Sequence, residues 1–281
     1  MDKFADLHLH TTASDGEYSP QFVVKAAKAQ GFAAIAITDH DTVSGLQDAL
    51  DEGRRKEIEV LPGVEISTVF EQKEIHILGY LFDPCDLNLM QRLDEMRNFR
   101  QVRIEKMVAR LNELGIEIAL KQVRAVSGSG VIGRPHVAKI LLEQGYVRSI
   151  KEAFAKLLSP GCPAYIPRYK INPAEAIHLL LAAGGIPVLA HPGLNPDDEL
   201  IADLKDIGLQ GIEVWHPEHN SQDVVKYLQM AQRYDLLPTG GSDWHGGNKD
   251  SCFSLGSIKL AYSFVEKIKE RKEELVFNAG G

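Results

Sequence analysis

Short apolar segments alternate with amphipathic helical segments over the first 66 residues of this chain. Apolar runs at 4–10, 33–38 and 59–66 are separated by helical patterns at 20–30 and 45–56. The first helix opens at a serine followed by proline, which is a capping residue before the first helical position, and it ends at a glycine. Since a βαβαβ order places its strands in a parallel sheet, the pattern predicts an α/β fold.

The alternation of strands and helices returns in the last third of the chain. A fourth strand is predicted at 74–82, and the later segments are helix 173–183, strand 186–190, helix 197–207, strand 211–214, helix 221–234 and strand 236–240. Seven strands with intervening helices predict a (β/α) barrel that closes completely or nearly so.

The segment 87–170 differs from the rest of the chain in pattern and in charge. It reads as a long amphipathic helix over 87–124, broken near Gly115, followed by further helical stretches, so we predict a helical domain inserted into a barrel formed by 1–86 and 171–281. The insertion has 15 Lys and Arg against 7 Asp and Glu, a net charge of +8, whereas the remainder has 16 against 32, a net charge of −16. Solvated helix faces are one explanation. A barrel that holds cations below a lid that receives an anion is the other.

Bulk composition excludes several classes of protein. No apolar run approaches the roughly 20 residues that a membrane helix needs, and the first residues lack the apolar core of a signal peptide, so we expect a cytoplasmic protein. The net charge of −8 argues against binding to duplex nucleic acid. Three widely spaced cysteines suggest neither a disulfide framework nor a thiolate metal site.

Histidines and carboxylates cluster where the predicted strands end. In the first strand, alternation places Asp6, His8 and His10 on one face, which we expect to point into the barrel, and the apolar residues between them on the outer face. The loop residue Asp15 follows this strand. Eight candidate ligands lie at or near strand ends, six of them among the ten histidines of the chain: His8, His10, His40, Glu65, His76, His191, Asp243 and His245. Convergent imidazoles and carboxylates are what divalent metals require, so the sequence predicts a metal site.

Six motifs in order extend this pattern along the chain. They read DLHLHTTASDG, AITDHDT, PGVEIS, HILGY, LAHPG and GGSDWH, and together they resemble the motifs of the PHP (polymerase and histidinol phosphatase) family. The resemblance implies a distorted barrel of seven βα units. The insertion, with GRPH at 133–136, resembles the subfamily that removes the 3′-phosphate from nucleoside 3′,5′-bisphosphates, some members of which also trim RNA from its 5′ end.

The resemblance also implies a centre of two or three divalent ions. The first would be held by His8, His10, Glu65 and Asp243, the second by Glu65, His76 and His191, and the third by Asp15, His40 and His245. Histidinol phosphatases commonly have histidine where this chain has Asp15, whereas the insertion-bearing subfamily has aspartate. An oxygen ligand suits Mn²⁺ better than Zn²⁺ at that site, so we expect Mn²⁺, with Zn²⁺ or Fe²⁺ as the alternatives.

A phosphate ester dianion repels hydroxide, so its hydrolysis needs both positive charge and an ionised water. Metal ions supply both. Our hypothesis is that a metal-bridging hydroxide attacks phosphorus in line while the ribose oxygen leaves, with Asp15 and Glu65 holding the metals.

Arg134 and His136 are predicted to bind substrate and to take part in catalysis. They lie in the insertion beside Gly133 and Pro135, whose turn is able to aim both side chains at the barrel mouth. A planar guanidinium can donate two bonds to one phosphate. A surface arginine and a helix-capping histidine are the alternative.

Weaker candidates lie nearby. Lys170 and Arg168 are candidates for a second phosphate, His216 is a candidate for substrate contact or for support of the metal ligands, and Asp41 or Thr42 is predicted to cap the following helix.

Other functions remain open at this point. Histidinol phosphate is the alternative substrate, and a barrel amidohydrolase acting on C–N bonds or a non-catalytic metal-stabilised binding module are the alternative classes. The basic insertion favours a phosphorylated nucleotide or short oligonucleotide, and the sequence leaves the oligomeric state undetermined.

Overall fold

A computed structural model describes residues 3–71, 73–128, 130–167, 171–194, 198–247 and 253–279. Within these ranges one sheet is formed by β1 (Phe4–Leu9), β2 (Ala34–Ile37), β3 (Glu59–Phe70), β4 (Lys73–Tyr80), β5 (Ile186–Leu189), β6 (Gly211–Trp215), β7 (Leu237–Gly240) and β8 (Leu260–Ala261). Their order in the sheet is β7-β6-β5-β4-β3-β2-β1-β8. A parallel bridge between Leu9 of β1 and Trp244, which follows β7, links the first and seventh strands, so the sheet nearly closes. The predicted α/β barrel is confirmed.

Ten α-helices are described around and beside the sheet. They are α1 (Pro20–Ala29), α2 (Leu46–Lys56), α3 (Leu87–Glu113), α4 (Leu120–Ser127), α5 (Arg134–Glu143), α6 (Ile150–Ala153), α7 (Pro173–Ala182), α8 (Asp198–Ile207), α9 (Ser221–Arg233) and α10 (Ser263–Ala279). A π-helical turn continues α6 over Phe154–Leu158. Among the described residues, no helix is long and apolar enough to cross a membrane.

The fourth strand departs from the expected succession of parallel βα units. β4 runs antiparallel to both β3 and β5, and Phe70 pairs with Lys73 across the β3–β4 turn. A parallel crossover needs a dozen or more residues, so this short connection permits only a hairpin. His76 therefore reaches the barrel mouth from the first half of β4, whereas a parallel strand would present its carboxyl end there.

Strict alternation in β1 was also wrong. The register of β1 against β2 shifts between Asp6 and Leu9. Leu7 packs in a cluster with Leu78 and Tyr80, whereas Leu9 packs in a different cluster with Val23 of α1. A bulge of this kind re-aims side chains at the rim of a barrel.

Capping was predicted correctly at the start of α1 but not at the start of α2. The Ser19 hydroxyl accepts a hydrogen bond from the Phe22 N–H at 3.3 Å, so α1 begins as its sequence indicates. α2 begins after Gly45, without a side-chain cap. The prediction that Asp41 or Thr42 caps this helix was wrong, because the Asp41 carboxylate accepts the Ser67 N–H at 2.7 Å instead.

Helices α3 to α6 have an apolar cluster of their own. Met107 and Leu111 of α3 pack with Val137 and Leu141 of α5. The first turns of α3 pack on the barrel and not in this cluster. Leu89 and Leu93 contact the apolar residues of α7 and of the barrel strands. A domain boundary near residue 87 stays a prediction, and α3 spans both clusters.

Candidate metal centre

One carboxylate lies at the centre of the barrel mouth. Glu65, on β3, is 1% exposed, and its Oε1 lies 2.7 Å from His76 Nδ1 and 3.0 Å from His191 Nε2. Its Oε2 lies 3.0 Å from His40 Nδ1 and 3.3 Å from the Nε2 atoms of both His8 and His10. Five imidazoles therefore surround a single buried carboxylate, and they come from β1, β4 and the segments directly after β1, β2 and β5.

Two further carboxylates extend the cluster to one side. Asp243 Oδ1 lies 3.0 Å from His10 Nε2, 3.3 Å from His8 Nε2 and 3.6 Å from His245 Nδ1. Asp15 Oδ1 lies 3.3 Å from His245 Nε2. The structure thus brings together all nine residues of the predicted set.

Their side-chain atoms form three groups, in each of which the ligand atoms lie within 4.8 Å of one another. The groups are His8, His10, Glu65 and Asp243; His40, Glu65 and His76; and His10, Asp15, His40 and His245. The first equals the predicted first set, and the third adds His10 to the predicted third set. In the second, His40 stands with Glu65 and His76, while His191 contacts Glu65 from outside the group.

Backbone conformation at the ends of two strands aims side chains into this cluster. His191 follows β5 with a φ of 26°, and Asp243 lies just after β7 with a φ of 48°. Left-handed backbone costs a non-glycine residue on the order of 1–3 kcal/mol, and such strain gathers at functional sites.

Burial and charge set the protonation of the cluster. Burial alone would raise the pKa of Glu65, but the imidazoles of His40 and His76 hold it well below its usual range, so this carboxylate is ionised. Burial lowers the pKa of His40 to about 4, which leaves His40 neutral. For His76, burial is outweighed by the Glu65 carboxylate, which raises the pKa to about 9.

Several buried atoms of the cluster lack a hydrogen bond within the described part of the chain. They are His8 Nε2, both ring nitrogens of His10, Asp15 Oδ1, His40 Nδ1 and Glu65 Oε2. Buried polar groups are normally satisfied, and ligand atoms that converge without bonding one another are what a cation would coordinate. The donor set, all imidazole nitrogen and carboxylate oxygen, therefore fits divalent metal ions.

Glu213, which the sequence analysis did not identify, supports the cluster from below. This fully buried residue of β6 lies with Oε1 3.0 Å from His8 Nδ1, and its Oε2 accepts the backbone N–H of His191 at 2.8 Å. The available signal was a glutamate inside the otherwise apolar strand GIEVW. A charged residue is rarely buried unless it has partners.

Arg134 and His136 stand at the first turn of α5. The Arg134 guanidinium donates to Glu74 at 2.6 Å and lies over the Phe154 ring, 5.5 Å from its centroid. His136 Nδ1 accepts the Gly133 N–H at 3.0 Å, so it caps the helix as the alternative interpretation had it. Since burial lowers the pKa of His136, the ring is neutral and its proton lies on Nε2.

The remaining candidates divide into two kinds. His216 is 2% exposed, its Nε2 lies 3.4 Å from Asp243 Oδ2, and its Nδ1 accepts the Glu218 N–H at 3.2 Å. This arrangement orients Asp243 and leaves little His216 surface for a substrate. Arg168 and Lys170 lie outside the described residues.

Arg100, also not predicted, connects α3 to the barrel mouth. Its guanidinium donates to the Asp41 carboxylate and, from Nη2, to Ser67 Oγ at 2.6 Å. No sequence signal singles it out, because charged residues recur along every amphipathic helix.

Comparison with known proteins places this arrangement in a family. The model of the PHP domain matches residues 6–159, which is more than half of the chain. The chain belongs to the PHP family.

PHP proteins of similar sequence span nearly the whole chain. A 3′,5′-nucleoside bisphosphate phosphatase of Chromobacterium violaceum is 35% identical over 246 residues, which cover 85% of this chain and 86% of that protein. A 5′-3′ exoribonuclease of Haemophilus influenzae is 34% identical over 265 residues, which cover 92% of this chain and 94% of that protein. A solved structure from Bifidobacterium adolescentis, described as a metal-dependent phosphoesterase, is 34% identical and superposes with a TM-score of 0.87 over 94% of each chain. This PHP protein is accordingly a hydrolase of phosphate esters, and its family is metal-dependent.

Proposed function

We propose that this enzyme removes the 3′-phosphate from nucleoside 3′,5′-bisphosphates, such as adenosine 3′,5′-bisphosphate, with two or three divalent ions bound at the Glu65 cluster. The observation that carries the proposal is the convergence of five histidines on the two oxygens of Glu65. The similarity to the Chromobacterium violaceum phosphatase supports the choice of substrate.

The ligand assignment follows the three groups of side chains. His8, His10, Glu65 and Asp243 would hold the first ion, and Glu65 with His76, His191 and the adjacent His40 would hold the second. Asp15 and His245, with His40 or His10, would hold a third. We propose Mn²⁺ as the native metal, because this third group adds a carboxylate to imidazoles and an oxygen donor suits Mn²⁺ better than a softer ion.

Bound divalent ions would supply positive charge to the phosphoryl group and would lower the pKa of a water molecule. Two carboxylates of the cluster are already in the charged form that binds metal ions. Glu65 and Asp243 are ionised before any ion arrives, because neighbouring imidazoles hold the pKa values of these buried carboxylates well below their usual range.

Two residues of α5 are proposed to contact the substrate. His136 presents a neutral Nε2–H beside Asp15 and His245 in a shared pocket, where it can donate to a phosphate oxygen. Arg134 pairs with Glu74, whose Oε1 lies 3.4 Å from His76 Nε2, so the guanidinium is held next to the cluster. Both donors favour an anionic substrate.

The test is a phosphate-release panel with Mn²⁺-loaded enzyme. Adenosine 3′,5′-bisphosphate, 5′-phosphorylated dinucleotides and histidinol phosphate are compared by kcat/KM, and metal-free enzyme serves as the blank. We expect the bisphosphate to be preferred and activity to disappear on complete metal removal. A preference for histidinol phosphate would overturn the nucleotide assignment, and activity in verified metal-free enzyme would overturn the mechanism.

A second activity, on short RNA, is supported by the similarity to the Haemophilus influenzae exoribonuclease. The 5′-phosphorylated dinucleotides in the substrate panel test for this activity. Release of 5′-nucleotides from them would establish an exonuclease function beside the phosphatase.

A further inference from the structure

A pocket of about 620 Å³ opens between the loop after β1 and helices α4 to α6. Asp15 and His245 line one end of it, so the pocket is continuous with the proposed third metal group. Pockets of about 300 to 1,000 Å³ are typical of small-molecule sites. Its position therefore suits the part of a substrate that does not react.

The walls of the pocket differ in chemistry from the metal end. The helical side contributes the apolar groups of Val126, Pro135 and Ile150, and the opposite side contributes Tyr18. The Tyr18 ring stacks on Trp244 with a centroid distance of 5.3 Å, which holds it in place. The Tyr18 ring also stacks on Phe22 with a centroid distance of 4.4 Å, so it belongs to a fixed aromatic wall. Apolar walls of this kind suit a nucleobase.

Positive charge is sparse along the walls. Among the described residues that line the pocket, Lys139 of α5 is the one lysine or arginine. Lys139 is exposed and lies one helical turn after His136, so both face the same space. Glu17 also lines the pocket, but its carboxylate accepts the Gly247 N–H at 3.0 Å and is thereby directed to the loop.

We propose that this pocket receives the leaving nucleoside of the substrate and that Lys139 binds its second, non-reacting phosphate. The inference rests on the proposed function and adds which residues would make the enzyme prefer a bisphosphate to a monophosphate. The metal end would take the reacting phosphate, the apolar walls the base, and the ammonium group the other anion. A lysine ammonium is a compact charge on a flexible stem, so it needs no fixed phosphate orientation.

The experiment compares adenosine 3′,5′-bisphosphate with adenosine 3′-phosphate, which lacks the second phosphate. The kcat/KM ratio of the two substrates is measured for the parent enzyme, Lys139→Gln, Lys139→Arg and the control Lys106→Gln. Lys106 is an exposed lysine of α3 that does not line the pocket. We expect the parent ratio to favour the bisphosphate and to fall about tenfold in Lys139→Gln, which is the loss of roughly one charge-assisted hydrogen bond.

Lys139→Arg should restore most of the preference, and Lys106→Gln should keep the parent ratio. Inhibition by adenosine 5′-phosphate gives a readout of binding alone, and its inhibition constant should rise in Lys139→Gln. Hydrolysis of neither substrate by the parent enzyme would refute the proposed function itself. Equal kcat/KM values in the parent enzyme would refute a second-phosphate site, and a preference that survives in Lys139→Gln would refute the role of Lys139.

Discussion

Glu213 Oε1 lies 3.0 Å from His8 Nδ1, and this contact decides which ring nitrogen of His8 faces the cluster. A carboxylate only accepts hydrogen bonds, so the proton of a neutral His8 lies on Nδ1 and its Nε2 lone pair points toward Glu65 and Asp243. The second oxygen of Glu213 anchors the strained backbone of His191. One buried residue thus orients two of the proposed ligands.

We expect Glu213→Gln to weaken metal binding by about 10- to 100-fold, the usual effect of losing such a supporting hydrogen bond. His8 and the His191 N–H contact different oxygens of Glu213, and the amide replaces one of these oxygens with an NH2 donor, so one of the two contacts is lost. Competition with a chelator measures the affinity. Glu199→Gln, at an exposed position of α8, is the control, and an affinity equal to that of the parent would contradict the proposed role.

The metal-free enzyme should lose stability as pH rises above 7. Although burial opposes the shift, Glu65 raises the pKa of His76 to about 9 and Asp15 raises that of His245 to about 10. Unfolded histidine titrates near 6.5, so the stabilisation is complete below about pH 6.5 and is lost as pH rises through the folded values. Thermal melts of metal-free protein between pH 7 and 9.5 should show a falling Tm.

Metal affinity should change in the opposite direction over the same pH range. Protons on His76 and His245 compete with metal ions, so apparent affinity should rise toward pH 9. Calorimetry in two buffers of different ionisation enthalpy would detect the released protons. Binding without proton release would show that these imidazoles are not ligands.

Arg134→Ala should lower kcat/KM for the bisphosphate by about 10- to 100-fold, since a hydrogen bond between charged groups is lost. Metal content, measured by elemental analysis, should stay at the parent value. Arg97→Ala is a matched control, because Arg97 is half exposed and pairs with Asp94 one turn earlier on α3. Loss of metal from Arg134→Ala would instead mean that the arginine acts structurally, through Glu74 and His76.

Alanine substitutions at two buried glycines, Gly79 in the barrel wall and Gly241 beside His8, should differ in their effect on metal binding. A Cβ at Gly79 would overlap the end of the Leu180 side chain, which can rotate away, so Gly79→Ala should cost about 1–3 kcal/mol and retain metal. A Cβ at Gly241 would overlap the His8 backbone N and Cβ, which lie in a strand and cannot move independently. Gly241→Ala should therefore lose metal. Denaturant unfolding and metal content measure the two effects, and equal metal content in both variants would contradict this distinction.

Local patterns predicted most elements because their signals are local. The cap and proline at α1 and the alternation of strands with helices needed no distant partner to be recognised. The C-terminal strand and helix, β8 and α10, were not predicted. Neither Glu213 nor Arg100 was identified, because the residues that they hydrogen-bond, His8 and Asp41, lie far away in the sequence.

The sequence by itself determined the α/β barrel and the residues available as metal ligands, since strand ends in such a fold meet at one mouth whatever the details of packing. Only the tertiary structure decided that β4 is antiparallel and brings His76 in from its first half. It also decided that Glu213, 205 residues from His8, sets the orientation of that imidazole. The direction of β4 follows from a short turn, which exists because pairing with β4 extends β3 to Phe70, beyond the predicted end at residue 66. The hydrogen-bond partner of His8 depends on how the nearly closed sheet packs, and no local pattern encodes it.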